Sequence, residues 1–569
     1  MASSSAVRSR MRLARPRLAT LALAALVLAG LAMRLHGSRF GLPAMNDPDE
    51  LMFELGALRM MSKHTLNPAW FGHPATTTIY LLVLVNLGVF VSTIASGSFI
   101  SAKAFTASLW LNPGLMIWPG RVAMVLFGTW AIWLTWRLAR RLTDPRGALL
   151  ASALVAFSPL LVTWSQVVRS DMMATCFMLL ALLAITNRLQ VRRRRDLVLA
   201  AFWLACATAT KWPVALAGTS LVMVITVQAL RQNDGAIRRA LRIALPKLAL
   251  SGALYFAFLI LISPYLVLDF QTVVADLHGE AQSHHLGATG GSPAFNLAWY
   301  VRHAMLPGLG WGGILLLLLA LCLGLRRHLV GRGRGARVSD LTLVVLPFLV
   351  CFLAVMAMQN LVWARWLIPL VPLLAILAGR GFSALLDVPY LHASRSRRRV
   401  LGTLTVLALL LPLALTNLGN ATMRLHDTRQ QASAWAIGHV PAGRSVLVEQ
   451  FAFDLLAQPW TLYFPVGRGG CLDARGLLEG KVDYATIDNA RGGHSNLDYG
   501  TLPEERRADC RADFAIITEY ERYRAERQAF PREYAAYRQL LQKGRIVAQF
   551  RPRPGQVGGP HVYVVQMPR

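Results

Sequence analysis

Acidic residues are scarce in this chain of 569 residues, which contains 29 Asp and Glu against 59 Lys and Arg and carries a formal net charge of +30. In a water-soluble protein such an excess would indicate binding to nucleic acid. Here the arginines cluster between apolar runs, the distribution expected when basic loops stay on the cytoplasmic side of a membrane. The charge therefore predicts membrane topology, and we expect no nucleic-acid partner.

Cysteine is also rare, and none of the six residues has the CxxC or Cys/His spacing of a structural zinc site. Two of them, Cys471 and Cys510, belong to a polar C-terminal part and could pair in an oxidising compartment, although spacing alone does not decide this. The remaining four cysteines lie in apolar segments and are interpreted as small core residues: Cys176, Cys206, Cys322 and Cys351.

No glycine-rich loop precedes a helix, so the sequence gives no support for nucleotide binding.

Apolar residues, in contrast, are abundant, making up 55% of the chain with a mean hydropathy of +0.44. Runs of about 20 apolar residues recur, and each is long enough to cross a bilayer. Residues 1–17 are predicted to be a cytoplasmic leader. The next run, 18–35, is interpreted as a membrane span because no small-residue cleavage site follows it and further spans come later.

Loop charges set the direction of the later spans. The stretch 76–117 either crosses the membrane twice or lies along the outer leaflet, so we expect about 11 to 13 transmembrane helices within residues 18–419. After the first outer loop, 36–117, the predicted spans are 118–138, 147–164, 172–187, 197–211, 213–230, 243–263, 304–325, 341–358, 366–386 and 400–418.

Residues 420–569 are polar, contain acidic and aromatic residues, and have no apolar run long enough to span a membrane. They combine strand-like and helix-like patterns, so we expect a small extracytoplasmic α/β domain. The strand-like runs are 445–449, 514–518 and 561–566, and the helix-like runs are 428–439 and 533–542.

The few acids include three carboxylates within residues 46–50, directly beside the first span. Ionisable groups at span ends on the same outer face are costly and are therefore candidates for function. Carboxylates suit a general base or a metal ligand, and cations suit a phosphate. Together they indicate a lipid-phosphate substrate whose head reacts while its tail stays in the bilayer. The outer-face groups are Asp47, Asp49, Glu50, His73, Arg121, Arg169, Asp171, Lys211, His284, His285, Arg302 and Arg365.

Each of these groups also has a purely structural interpretation. Asp49 and Glu50 could stabilise the start of a helix through its dipole. Asp171 could form a structural pair with Arg169, and Lys211 could extend to the interface. The other arginines could anchor span ends, and histidines in a polar loop are often simply solvated.

Six short motifs occur in order over residues 18–386, and together they resemble the GT-C glycosyltransferases, specifically the protein O-mannosyltransferases and the lipid A aminoarabinose transferases. Three features depart from that pattern: Asp47 adds an acid, a His-Pro pair stands where aminoarabinose transferases usually have Lys-Pro, and the sequence lacks the additional lumenal domain that eukaryotic mannosyltransferases carry between spans. The motifs are Asp49-Glu50 before a surface helix, His73-Pro74, Gly120-Arg121, Phe157-Ser-Pro159 through Arg169-Ser-Asp171, Lys211-Trp-Pro213, and Arg365 with Pro369 and Pro372.

The resemblance implies a GT-C fold in the cytoplasmic membrane and a polyprenyl-phosphate-linked sugar as donor. The acceptor would be a hydroxyl group on a protein, lipid or glycan at the outer face. Asp49 is favoured as the general base of an inverting transfer, with Glu50 and Asp171 as further catalytic residues. The implied substrate-binding residues are Asp47, His73, Arg121, Arg169, Lys211 and Arg365.

Two questions stay open at the level of sequence. A divalent zinc, manganese or magnesium ion could be held by residues among Glu50, His73, His284 and His285. The alternatives to an enzyme are a transporter or flippase for a polyprenyl-linked glycan and a non-catalytic membrane assembly protein. A transporter often shows internal repeats, which are absent here, and an assembly protein leaves the acids and cations of the outer face unexplained.

Overall fold

The computed structural model describes residues 3–99, 101, 104–105, 108–109, 112–331, 338–388, 394–449, 452–475 and 497–568. A bundle of helices comes first, and its last helix leads into a sheet domain. The bundle helices are α1 (Ser3–Leu35), α2 (Pro48–Lys63), α3 (Thr76–Ala95), α4 (Gly114–Leu142), α5 (Pro145–Phe157), α6 (Pro159–Ser165), α7 (Asp171–Val191), α8 (Arg194–Thr210), α9 (Gly218–Gln232), α10 (Ile237–Ile262), α11 (Tyr265–Leu268), α12 (Phe270–Glu280), α13 (Pro293–Tyr300), α14 (Leu306–Gly331), α15 (Asp340–Ala357), α16 (Val371–Leu386) and α17 (Arg395–Leu425).

The C-terminal domain sits on one end of this bundle, which we call the domain face. Contacts at Asn46, Leu286 and Met423 define it: the Asn46 side chain bonds to Gln430, Leu286 is buried in the apolar core of the domain, and the Met423 carbonyl accepts from the Gly558 N–H. The ends of α8 and α10 and the start of α7 lie at this face.

Ten helices in the described part are long and apolar enough to cross a membrane, or eleven if α5 and α6, which meet at a 53° bend, count as one span. The prediction of a multi-pass helical membrane protein with a C-terminal sheet domain is confirmed. The count of ten lies just below the predicted range of 11 to 13, and the count of eleven lies at its lower limit.

Helix α3 is apolar enough to span a membrane, yet both of its ends contact the domain face. At its start, Thr76 Oγ1 bonds to Ser263 Oγ at 2.7 Å, just after the end of α10. Towards its end, Phe90 packs edge-on against Phe105 with ring centroids 5.4 Å apart, in a cluster that includes Met116 at the start of α4. The structure therefore favours the alternative in which α3 lies along this face, and not the one in which the stretch 76–117 crosses the membrane twice.

Helix α8, which has 17 residues, corresponds to the predicted span 197–211. It is antiparallel to the 21-residue span α7, since Lys211 directly after α8 contacts Asp171 at the start of α7. Counting α8 in place of α3 gives eleven helices at the positions of the predicted spans.

The break between α5 and α6 directs the chain towards the domain face. Pro159 has no N–H to donate into a helix, so the carbonyls before it need other donors. Arg34 of α1, fully buried, supplies them: its Nη2 donates to Val155 O and its Nη1 to Ala156 O, both at 2.9 Å. The bend allows α6 to lead into the segment that carries Arg169.

Glycines let α16 pack closely at the centre of the bundle. A Cβ atom on Gly379 would lie 2.2 Å from the carbonyl oxygen of Gly147 in α5, and one on Gly381 would lie 1.9 Å from Leu316 O in α14. Small residues at such crossings bring helix backbones into contact, which stabilises helix association in a membrane.

The C-terminal domain is a mixed six-stranded sheet with strand order β3-β2-β1-β4-β6-β5. Strand β1 is parallel to β2 and β4, and the remaining pairs are antiparallel. A disulfide joins Cys471 and Cys510. The strands are β1 (Ser445–Val448), β2 (Thr461–Pro465), β3 (Cys471–Asp473), β4 (Phe514–Ile517), β5 (Arg545–Phe550) and β6 (Val562–Gln566), and the helices are α18 (Thr428–His439), α19 (Tyr520–Ala525) and α20 (Pro531–Lys543).

We predict that Gly379→Ala destabilises the bundle by about 1–3 kcal/mol, because the added methyl group forces α5 and α16 apart. Thermal unfolding in detergent would measure this. The matched control is Gly252→Ala in α10, where a Cβ atom meets nothing within 4 Å. Equal unfolding temperatures for the two variants would contradict the close packing.

Candidate active site

Asp49 lies at the domain face between two arginines. It is in the first turn of α2, whose N-cap Asp47 accepts a hydrogen bond from the Asp49 N–H at 3.1 Å. The Asp49 carboxylate accepts from Arg169 Nη2, and its Oδ2 is 3.7 Å from Arg365 Nη1. The Asp49 side chain is 38% exposed, against 5% for Arg169 and 11% for Arg365. The acid is therefore accessible while both cations are enclosed.

The two arginines also set the charge of Asp49. Burial by itself would raise the pKa of this carboxyl, but Arg169 and Arg365 outweigh burial and lower the pKa of Asp49 to about 2. Asp49 is consequently ionised at any physiological pH in this state of the site.

Both arginines have hydrogen-bonding capacity that the described residues do not use. Nε and Nη1 of Arg169 and Nε of Arg365 are buried and have no partner in that part of the chain. Aromatic rings hold the guanidinium groups in place: the centroid of Trp164 lies 5.2 Å from Arg169 Cζ and 5.7 Å from Arg365 Cζ, and that of Trp363 lies 4.4 Å from the latter. Enclosed donors without acceptors favour the binding of an anion.

A second ion pair adjoins this group. Lys211 Nζ contacts the Asp171 carboxylate, and both side chains are buried. Lys211 also forms an antiparallel β-bridge with Pro74, which fixes the neighbouring His73 loop to the end of α8. The structure thus brings Asp47, Asp49, His73, Arg169, Asp171, Lys211 and Arg365 together, as the sequence predicted.

Glu50 and Arg121 form a separate, fully enclosed pair. Arg121 Nε and Nη2 donate to the two Glu50 oxygens at 2.8 and 2.6 Å, and Val168 N–H donates to Glu50 Oε1 at 2.9 Å. Arg121 Nη1 donates to the carbonyls of Ser38 and Phe40, each at 2.8 Å. These bonds join α2 and α4 to the segments on either side of the site, which is the geometry of a positioning pair.

The predicted metal ligands do not assemble. Both Glu50 oxygens are occupied, and His284 is an exposed residue bonded to Ser283. His285 packs edge-on against Trp363 at 5.0 Å, whereas His73 packs on Trp70 at 5.1 Å. Within the described ranges no three His, Cys, Asp or Glu side chains converge. In the described structure these residues do not form a metal site, and the possible divalent metal stays a prediction.

Several residues of the site carried no predicted role. Trp164 and Trp363, each a few positions before a site arginine, could have been recognised from the Trp and Arg spacing. Asn46 could not: its side-chain amide exchanges two 2.8 Å hydrogen bonds with Gln430, and its carbonyl accepts from Arg429 Nη1. Such contacts join segments more than 380 positions apart in the sequence, so no local sequence pattern predicts them.

The C-terminal domain holds a second loop of the site. Arg522 Nη2 donates to Leu286 O at 3.1 Å, and Gly287 N–H donates to Glu526 Oε1 at 2.8 Å. The same loop pairs with the chain just before Trp363, since Val362 N–H donates to Ala288 O at 2.8 Å. The domain therefore contacts both the acidic segment and the segment leading to Arg365.

Comparison with known proteins identifies the architecture. Residues 104–267 match the family described as dolichyl-phosphate-mannose-protein mannosyltransferase. ArnT from Cupriavidus metallidurans, solved with undecaprenyl phosphate, is 14% identical and has a TM-score of 0.45, with 96% of this chain and 97% of that chain covered. Oligosaccharyltransferase AglB from Archaeoglobus fulgidus, solved with an inhibitory peptide and a dolichol-phosphate, is 12% identical and has a TM-score of 0.50, with 96% and 74% covered. The chain has the GT-C fold.

The resemblance drawn from the sequence is thereby confirmed. The segment that matches the family, 104–267, contains the site residues Arg121, Arg169, Asp171 and Lys211. Asp49, His73 and Arg365 lie outside this segment. No curated protein sequence matches the chain.

We predict that Glu50→Gln destabilises the protein by about 3–5 kcal/mol, because it leaves the buried Arg121 without its counter-charge. Denaturant unfolding in detergent would measure the loss. Glu505→Gln is the matched control, since this exposed side chain should change stability by less than about 0.5 kcal/mol. Wild-type stability of Glu50→Gln would show that the pair does not support the fold.

We also predict a pH dependence of stability that arises from His73. Burial, followed by the charges of Lys211 and Arg365, lowers the pKa of His73 to about 3. Below the ordinary value of about 6.5 the unfolded chain binds a proton that the folded chain does not. The contribution of His73 to stability should therefore fall, by up to about 1.4 kcal/mol per pH unit, as the pH is lowered from about 6.5 to 4.

His73→Phe should remove this slope, as measured by unfolding temperature against pH. The low pKa of Asp49 affects stability only below about pH 4, so it does not interfere in this range. The exposed His284→Phe serves as control and should keep the wild-type slope. If His73→Phe keeps that slope as well, the ring is protonated in the folded protein.

Proposed function

We propose that the protein transfers a sugar from a polyprenyl-phosphate donor to a hydroxyl acceptor, with inversion at the anomeric carbon. One observation carries this proposal: an accessible carboxylate, Asp49, lies between two enclosed arginines that have unused N–H groups. A base and an anion site are thus adjacent, as displacement of a phosphate leaving group requires. The GT-C fold, which it shares with proteins that act on lipid-linked sugars, supports the same reaction class.

The arginines form the site for the donor phosphate. Nε and Nη1 of Arg169 and Nε of Arg365 would donate charge-assisted hydrogen bonds to its oxygens. The dolichol-phosphate in the AglB complex is a ligand of the same chemical class on the same fold. The polyprenyl tail would remain in the bilayer.

Donor binding would also prepare the base. A carboxylate with a pKa of about 2 is a weak base. Once the phosphate accepts hydrogen bonds from Arg169 and Arg365, these cations interact less strongly with Asp49. The Asp49 pKa then rises towards its ordinary value of about 4, which strengthens the base when the donor is present.

In the transfer step the acceptor oxygen forms a bond to the anomeric carbon as the bond from that carbon to the phosphate oxygen breaks. The acceptor proton goes to Asp49, and the electron pair of the breaking bond goes to the phosphate, which leaves as polyprenyl phosphate. Arg169 and Arg365 stabilise the negative charge that develops there. Lys211, held by Asp171, adds positive potential nearby, and Glu50 with Arg121 positions α2.

We place the site and the C-terminal domain outside the cytoplasmic membrane. Arginine-rich loops such as 192–195 lie at the end of the bundle opposite to the domain face, in agreement with the positive-inside rule. The Cys471–Cys510 disulfide fits an oxidising compartment. The acceptor would then be a protein, lipid or glycan of the cell envelope.

We predict that Asp49→Asn lowers the turnover number by about 10²–10⁴-fold, the usual contribution of a general base. Transfer from a panel of radiolabelled polyprenyl-phosphate sugars to membrane acceptors would measure it. Glu505→Gln, which removes an exposed charge of the C-terminal domain outside the site, is the control and should keep most of the activity. Near wild-type turnover by a folded Asp49→Asn protein would exclude Asp49 as the base.

A further inference from the structure

A cavity of about 190 Å³ lies between α4, α7 and α8, at the end of the bundle opposite to the domain face. It is remote from the active site: Asn187 in its wall is 16 residues after Asp171 along α7, about 24 Å at the rise of an α-helix. Its walls are Trp133, Leu134, Arg137, Arg141, Leu180, Leu183, Ala184, Asn187, Leu199 and Trp203.

Helix α4 supplies the charge of this cavity. Trp133, Arg137 and Arg141 recur every four residues and therefore share one helix face. The guanidinium carbon of Arg137 lies 5.0 Å from the centroid of the Trp133 ring. Neither Arg137 nor Arg141 forms an ion pair with any residue in the described ranges. Two cations without counter-charges thus face one cavity.

The cavity is apolar in its interior and polar near the arginine-rich loop, which suits the acyl chain and the headgroup of a lipid. Leu180 and Trp203 lie deeper in the bundle, since they are further from the ends of α7 and α8 that carry the arginine-rich loop. Asn187 lies closer to that loop, and its side-chain Oδ1 is buried without a hydrogen-bond partner in the described structure. Towards the arginine-rich loop, the apolar interior is therefore followed by two cations and one free acceptor.

We propose that this cavity binds an anionic phospholipid whose headgroup carries hydroxyl groups, as in phosphatidylglycerol. Arg137 and Arg141 contact the phosphate, and Asn187 Oδ1 accepts a hydrogen bond from a headgroup hydroxyl. An acyl chain lies against Trp133, Leu180 and Trp203. Basic pockets between transmembrane helices on the cytoplasmic side suit anionic headgroups. The apolar walls have no role in binding a free phosphate, so the occupant is a lipid.

The first test titrates delipidated protein with phosphatidylglycerol or phosphatidylcholine and counts bound lipids by native mass spectrometry. Phosphatidylglycerol should bind at least about tenfold more tightly, and the double variant Arg137→Gln/Arg141→Gln should lose that preference. The control Arg140→Gln/Arg192→Gln removes two charges from the same end of the bundle outside the cavity and should keep it.

Three results would overturn the proposal: equal binding of the two lipids, equal losses in the two double variants, or displacement of phosphatidylglycerol by glycerol 1-phosphate at matched concentration. The last would identify a site for a soluble phosphate.

The second test isolates the hydroxyl contact with phosphatidylmethanol, which has the same charge as phosphatidylglycerol and no headgroup hydroxyl. The wild-type protein should prefer phosphatidylglycerol by about fivefold, the effect of one hydrogen bond. Asn187→Leu should bind the two lipids equally. A preference that persists in Asn187→Leu would contradict the assignment of Asn187.

Discussion

Two enclosed arginines beside one accessible carboxylate are the constraint on which the rest of the structure depends. Removing a guanidinium group from water is costly unless acceptors replace the water. Asp49 occupies only part of the hydrogen-bonding capacity of Arg169 and Arg365. The site is therefore built to take up an additional anion, and the same anion would release Asp49 for proton transfer.

The surrounding architecture keeps these groups in place. Arg34 supplies donors to the broken helix that leads to Arg169, and the Glu50–Arg121 pair fastens α2 to α4. The C-terminal domain contacts the segment before Asp49 through Asn46 and the loop that pairs with the chain before Arg365. Much of the polar structure near the site thus fixes geometry, while few groups are free to contact a substrate.

Much of this could be predicted from the sequence. Apolar runs and loop charges predicted the spans, and the strand-like runs 445–449, 514–518 and 561–566 match three of the six strands. Seven of the twelve predicted outer-face residues lie together in the structure, because the direction of each span follows from its flanking arginines. Short, irregular strands such as β3 carry too little periodicity to be recognised.

The separate roles within the acidic cluster could not be predicted. Adjacent residues on α2 point in different directions, so Glu50 faces Arg121 inside the protein while Asp49 faces the site, and this depends on packing between distant segments. Whether α3 crosses the membrane could not be predicted either, because an apolar helix on the membrane surface has the same composition as a membrane span.

The measurement that tests the account most directly is an experimental structure of the protein with bound polyprenyl phosphate. We predict that phosphate oxygens lie within about 3.2 Å of Arg169 Nε or Nη1 and of Arg365 Nε, as expected for N–H···O hydrogen bonds. The Asp49 carboxylate would then contact these arginines less closely than it does here. A phosphate bound elsewhere, with Arg169 still held by Asp49, would contradict the account.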